Sequence, residues 1–176
     1  MVSLVQLVKA GLSFYFVGDA YYACHTVALG IINLGGHLVS RVRCNAVAYE
    51  PAPKNILKRR GRPRFYGKKI RLVSLFTSAK KMESADSPVY GEKDTVLLYR
   101  SKDLIWKPLR RVVRFVAVMH PVRGRCLLMS TDLTASAIDI IRLYGIRFKI
   151  EVSFKNALRV VGAYAYHFWL GAMRPI

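Results

Sequence analysis

The sequence predicts an α/β fold with a β-rich middle, and three observations predict it. An apolar, aromatic run over residues 13–19 passes directly into helical periodicity. Four aliphatic or β-branched runs, separated by Pro- and Gly-containing turns, fill residues 70–130. A long helical pattern then follows Asp132 and Thr134 and runs to about Val161. With 176 residues and 53% apolar content, a single domain with a real core is expected rather than a disordered basic tail.

Taken in chain order, Met1 to Leu12 reads as a short amphipathic helix, with Leu4, Leu7, Val8 and Leu12 near 3.6-residue spacing. Phe14-Tyr15-Phe16-Val17-Gly18 reads as a buried strand that ends at Asp19. A helix is expected over about 21–37, carrying Tyr22, Val27, Leu29, Ile31 and Leu34 and stopped by Gly35-Gly36. Val39 to Val47 alternates as a second strand, with Arg41 and Arg43 on one face and Val42 and Cys44 on the other.

Tyr49 to Lys69 is rich in Lys and Arg and holds Pro51, Pro53 and Pro63, so it is expected as a loop facing water or phosphate. Within it, Arg60-Gly61-Arg62-Pro63, followed by Arg64, resembles the core of an AT-hook, in which a proline-stiffened segment lays arginines into a narrow minor groove. Four residues are too short to specify that use. The plainer reading is a solvated basic loop touching DNA backbone.

The β runs are Ile70 to Phe76, Thr95 to Tyr99, Arg111 to Met119 and Arg125 to Met129. Breaks fall at Ser87-Pro88, Lys107-Pro108 and Pro121-Val122-Arg123-Gly124. Arg110, Arg111 and Arg114 lie close together, where charge guards a sheet edge and can follow a phosphate backbone. Trp106 is expected to pack inside this region; exposed, it would stack on an unpaired base. In the following helix Ile138, Ile141, Phe148 and Val152 form the apolar stripe, and Asp132 and Thr134 are the candidate N-caps. Ala163 to Trp169 reads as a further helix packing back on the core.

On the long helix Tyr144, Arg147 and Glu151 stand at i, i+3 and i+7, on one side of about two turns. Arg147 and Glu151 are also within reach at i, i+4, and as an isolated pair they would be an ordinary surface ion pair. A carboxylate beside an arginine and a tyrosine is also equipment for phosphodiesters: the glutamate can ligate Mg²⁺ while the arginine binds a phosphate and the tyrosine positions it. Asp19 sits where a strand ends, an edge of α/β sheets favoured by ligands. Alone it would serve equally as a helix N-cap. Two-metal phosphoryl transfer needs carboxylates converging from separate elements, and Asp19 and Glu151 supply two.

Four segments carry a family resemblance that covers nearly the whole chain: Phe16-Val17-Gly18-Asp19-Ala20-Tyr21-Tyr22-Ala23, Gly61 to Gly67, Ser130-Thr131-Asp132-Leu133, and Ile141 to Phe154. Together they resemble the second half of an insertion-sequence DDE transposase, of the branch whose glutamate lies in a Y-x2-R-x3-E-x6-K pattern after a β-rich insertion. The resemblance implies an RNase H-like core, incomplete here, with residues 70–130 as the insertion and helices at the C-terminal end. It implies a two-ion Mg²⁺ site with Asp19 and Glu151 as the second and third acidic residues, and Tyr144 and Arg147 as the phosphate-contacting pair. Position 158 is Leu158 where the pattern has lysine, with Lys155 and Arg159 the nearest cations. The family's first aspartate lies well upstream of its second, whereas the residues before Asp19 include no acid. The expectation is therefore a C-terminal piece of a transposase with an incomplete metal site. The partners implied are double-stranded DNA at transposon ends and either a second copy in a synaptic complex or an upstream transposase fragment. The rival expectation is a non-catalytic DNA-binding remnant.

Composition points to the same partner. Lys and Arg number 29 against 10 acidic residues, a net charge of +19 that self-repels unless a polyanion is bound. Cys24, Cys44 and Cys126 show neither a zinc pattern nor a disulfide framework, which suits a reducing cytoplasm, with nucleoid association following from a DNA partner. Mean hydropathy is slightly positive. Yet the best span candidate, Ala20 to Val39, contains His25, Asn33 and His37, and the N-terminus lacks signal-peptide features, so no membrane association is expected. The chain has no Gly-x-Ser-x-Gly elbow, Walker loop or Gly-x-Gly-x-x-Gly fingerprint.

Overall fold

The computed structural model describes residues 13–53, 64–77, 81–89, 92 and 94–160, with the backbone alone at 148 and 150–152. The chain is an α/β fold built on a mixed sheet. Its elements are β1 (Tyr15–Gly18), α1 (His25–Asn33), β2 (His37–Arg41), β3 (Val47–Pro51), β4 (Tyr66–Arg71), a 3-10 turn (Leu72–Phe76), β5 (Glu83–Asp86), β6 (Val96–Trp106), β7 (Arg111–His120), β8 (Gly124–Ser130) and α2 (Ala137–Val160). The strands run in the order β1-β2-β8-β7-β6-β3-β4, with β5 added on β6. Among the described residues only β1 and β2 are parallel, joined through α1, and the remaining pairs are antiparallel.

Both faces of the sheet are covered, which is why its central strands read as nearly continuous apolar runs. Alternate residues divide between the two faces. Leu38, Phe115, Ala117, Leu127 and Met129 point into one core, shared with Ala28 of α1 and with Leu72, Leu75 and Phe76. Val39, Val116, Val118 and Leu128 point into the other, where Ile140 and Ile141 of α2 seal them. Trp106 is buried in the first core, as its packing role requires.

Several local expectations are corrected. The first helix is confined to His25–Asn33, and Tyr22 precedes it in a turn. Its stop is the one that Gly35-Gly36 promised: the Gly36 N–H reaches the Ile31 carbonyl and the Gly35 N–H the Ile32 carbonyl, with Gly35 at φ +78°. That left-handed step costs glycine nothing and lets β2 start at once at His37. The expected single strand from Val39 to Val47 breaks after Arg41. Val42 is buried and still donates its N–H to the Leu127 carbonyl, but a turn closed by Ala46 N–H on Arg43 O carries Arg43 and Cys44 outward and restarts the chain as β3.

The loop expected from Tyr49 to Lys69 loses both ends to β3 and β4, which pair with each other; residues 54–63, with Arg60 and Arg62, lie outside the described residues. Ile70 to Phe76 is a strand only to Arg71. Leu72, Leu75 and Phe76 bury together because their spacing suits a helical turn, and a strand would send them to opposite faces. The short polar strand β5 was not anticipated, since Glu83-Ser84-Ala85-Asp86 carries no apolar alternation.

Neither Asp132 nor Thr134 caps the long helix. Ser136 does, its Oγ accepting the Asp139 N–H at 3.1 Å and donating to the Asp139 carboxylate at 2.6 Å. The helix itself runs to Val160 as its periodicity predicts. Residues 1–12 and the aromatic tail at 163–169 lie outside the described residues. Among the described residues no helix is long and apolar enough to cross a membrane.

Candidate functional site

Asp19 follows the last residue of β1, and its backbone is pinned from two sides. Its carbonyl accepts the Tyr22 N–H at 2.9 Å and the hydroxyl of Ser40, a fully buried residue of β2, at 2.7 Å. This holds the turn so that the carboxylate faces outward at the carboxyl end of the two parallel strands, the edge where α/β sheets present ligand-binding groups. Asp19 makes no helix cap; Cys24 occupies that position without a side-chain bond.

Its partner comes from the other end of the fold. Arg147 Nη2 on α2 donates to Asp19 Oδ2 at 2.6 Å across 128 positions of sequence, with the two side chains 30% and 46% exposed. Among the described residues Oδ1 of Asp19 has no hydrogen bond. Tyr144 lies one turn before Arg147 and is half-buried. Burial pushes its hydroxyl up, a change reinforced by Cys126 and Asp19 and opposed by Arg147 and Arg41. Glu151 lies one turn beyond Arg147 on the same helix, so the Asp19–Arg147 pair brings the strand end to the Tyr144-Arg147-Glu151 segment.

Helix α2 is seated here by a small residue. A Cβ on Gly145 would meet the Val89 Cγ2 at 3.2 Å, so the glycine admits Val89 against the helix between Tyr144 and Arg147. A mid-helix glycine costs about 1 kcal/mol relative to alanine, and this contact is its compensation. Beside it lies a cleft of about 200 Å³ with Leu97, Val118 and Leu128 as its apolar floor and Arg41, Arg123, Arg125, Tyr144 and Arg147 around it. Arg41 also borders an adjoining concavity with Asp19, Tyr21 and Arg43. Planar guanidinium forks match phosphate oxygens, and the arginines here outnumber the carboxylates paired with them, Arg147 with Asp19 and Arg123 with Glu92.

A network absent from the sequence reading builds one wall of the cleft. Glu92 accepts from Ser87 Oγ at 2.5 Å and from Arg123 Nη2 at 2.7 Å, and meets His120 Nε2 at 3.0 Å. Nδ1 of His120 accepts the N–H groups of Val122 and Arg123, each at 3.1 Å, so the ring proton belongs on Nε2 and points to Glu92. Burial pushes the Glu92 carboxyl up, but Ser87, His120 and Arg123 outweigh it and hold it below the usual range. Ser87 and Glu92 are 5 positions apart but His120 is 28 from Glu92, and no periodic signal marks the set.

The structure thus divides the expected site residues. It unites Asp19, Tyr144, Arg147 and Arg41, with Arg43 in the adjoining concavity. Lys155 is exposed farther along α2. Arg64 is exposed at β4, the opposite edge of the sheet, six strand spacings or roughly 30 Å from β1. Among the described residues no three His, Cys, Asp or Glu side chains come together as a metal cluster. The donors that Asp19 and Glu151 carry are carboxylate oxygens, the chemistry a hard divalent cation prefers. No protein-family model matches the chain, and no curated protein matches it.

Proposed function

We propose that this chain is part of the catalytic region of an insertion-sequence DDE transposase, an RNase H-like core with residues 70–130 as a β-rich insertion, acting on double-stranded transposon ends by Mg²⁺-dependent strand cleavage and transfer. The observation that carries this reading is the Asp19–Arg147 pair, which joins a strand-end carboxylate to a helix bearing Tyr144, Arg147 and Glu151 on one face. In this reading Asp19 and Glu151 would hold Mg²⁺, which when bound supplies charge stabilisation at the attacking and leaving oxygens. Arg147 grips a phosphate oxygen and Tyr144 orients it, its ring held by burial beside the cleft. Arg41, Arg43 and Lys155 extend the positive track along which the backbone lies. The proposed assembly pairs two copies in a synaptic complex or unites this chain with an upstream transposase fragment.

One feature favours the rival reading, a non-catalytic DNA-binding protein of the same parentage: Arg147 already neutralises one oxygen of Asp19. Cleavage separates the two. Supercoiled plasmid and Mg²⁺ are incubated with the chain joined to an upstream transposase segment that carries an aspartate. Nicking that Glu151→Gln abolishes while DNA binding persists supports the transposase. Binding with no nicking in any form leaves the DNA-binding reading, and nicking that survives Glu151→Gln overturns the residue assignment.

A further inference from the structure

Far from Asp19, at the opposite edge of the sheet, a half-exposed aromatic side chain lies outside both cores. Phe65, immediately before β4, is 48% exposed. Its ring is set edge-on to Tyr66, with centroids 5.1 Å apart at 86°, and Tyr66 in turn leans on Tyr49 of β3 at 5.1 Å. The Arg110 guanidinium lies 5.9 Å from the Phe65 centroid. Arg110 closes the turn between β6 and β7 at φ +53°, a conformation that glycine would adopt freely and arginine adopts at a cost. The turn is tied down by the Arg110 N–H on the Trp106 carbonyl and by His25 Nδ1 at 2.8 Å from the Pro108 carbonyl. Exposed Arg64, Lys68, Lys69, Lys107 and Arg111 lie on the same hairpin or the same turn.

A half-exposed ring set edge-on to Tyr66 and surrounded by cations has the composition of a surface that stacks nucleobases and pairs with their phosphates. A duplex keeps its bases stacked on one another, so a lone ring gains most from an unpaired base. We propose that the Phe65–Arg110 platform is a binding site for single-stranded nucleic acid, the base stacking on Phe65 and the flanking phosphates lying on the lysines and arginines of β4 and the β6–β7 turn. The ring's support by Tyr66 keeps it upright, so little side-chain freedom is lost on binding. The site shares only its class of partner with the function proposed above, and it requires neither metal nor cleavage.

Fluorescence anisotropy with a labelled ten-nucleotide oligo(dT) and with a labelled duplex, both in EDTA, tests it on the full chain. Phe65→Ala is expected to weaken oligo(dT) binding roughly tenfold, Phe65→Tyr to restore it, and neither to change duplex affinity. The salt dependence of oligo(dT) binding should keep its slope in Phe65→Ala, because no charge is removed, and fall by about 0.7 in Arg110→Gln if that side chain meets a phosphate. Unaltered oligo(dT) affinity in Phe65→Ala, or an equal loss on the duplex, overturns the proposal. Since Phe65 is outside both cores, unchanged thermal unfolding of the variant will show that the loss is local. Failure of plasmid nicking leaves this result untouched, and failure here leaves the nicking assay untouched.

Discussion

Two aspartates stand at opposite ends of β1 and are treated in opposite ways. Asp132, after β8, is 5% exposed and receives the Tyr15 hydroxyl, the Thr134 N–H at 2.8 Å and the Thr134 hydroxyl at 2.7 Å. Burial pushes its carboxyl up, yet those bonds and the nearby His37 outweigh it and hold it at about 2. Asp19 is nearly half exposed and, among the described residues, has a single arginine partner. A buried carboxylate that accepts three hydrogen bonds, with both oxygens engaged, ties β1 to the turn before α2 and is shielded from a ligand by its burial. An exposed one paired with a partly exposed guanidinium can exchange that partner for a cation or yield it to a phosphate. The more buried, more fully hydrogen-bonded carboxylate is the structural one here, and the more exposed one is the candidate for chemistry.

If that contrast holds, damage at the Asp19 end costs function and damage at the Asp132 end costs stability. The largest expected effect is on cleavage: Glu151→Gln should lower plasmid nicking by the completed protein by on the order of 10²–10³, with DNA affinity unchanged in a gel-shift titration. Equal loss of affinity would turn the glutamate into a binding or folding residue and blur the comparison.

Next is Asp132→Ala, which leaves the Tyr15 hydroxyl and the Thr134 donors without their acceptor. About 2–4 kcal/mol of stability should be lost, seen in calorimetry as a drop in Tm of roughly 5–15 °C. A change below about 0.5 kcal/mol would show that water replaces the carboxylate and that the two ends are less different than their burial suggests.

The pH dependence sharpens the same point. Asp132 has its folded-state value depressed to about 2, so its contribution is fully present above its unfolded value and fades as pH falls from about 4 towards 2. On the order of 2 kcal/mol should disappear over that window in denaturant titrations, and Asp132→Asn should remove that part of the slope. An identical slope in the variant would assign the acid sensitivity to other carboxylates, Glu92 first among them, since its carboxyl is also held low.

The smallest effect belongs to the exposed pair. Asp19→Asn and Arg147→Ala should each change stability by no more than about 1 kcal/mol, because partly exposed ion pairs are screened and partly offset by lost side-chain freedom. Arg147→Ala should instead reduce the log-log salt slope of duplex binding by about 0.9, one phosphate contact. A loss of several kcal/mol from either change would mean that the pair is a structural clasp.

What the sequence by itself determined was the local and the periodic. The apolar run ending at Asp19, the Gly35-Gly36 helix stop, the β runs at 111–119 and 125–129 and the placement of Tyr144, Arg147 and Glu151 on one helix face all follow from spacing within a few residues, whereas the run from Thr95 to Tyr99 is only the first half of β6. The excess of positive charge is equally a property of the chain alone. Tertiary structure decided the rest. Ile70 to Phe76 has the composition of a strand, and only the core under Leu72, Leu75 and Phe76 made its second half a 3-10 turn. Asp132 is a fit N-cap by type, but α2 begins only at Ala137 with Ser136 as its cap, and the Asp132 carboxylate instead meets Tyr15, 117 positions away. Spacing puts Arg147 within reach of Glu151 along the helix, and the folded chain gives it Asp19, 128 positions away. Such pairings depend on which faces the sheet and the helix present to one another, and that is set by the burial of both cores together rather than by any residue's neighbours in sequence.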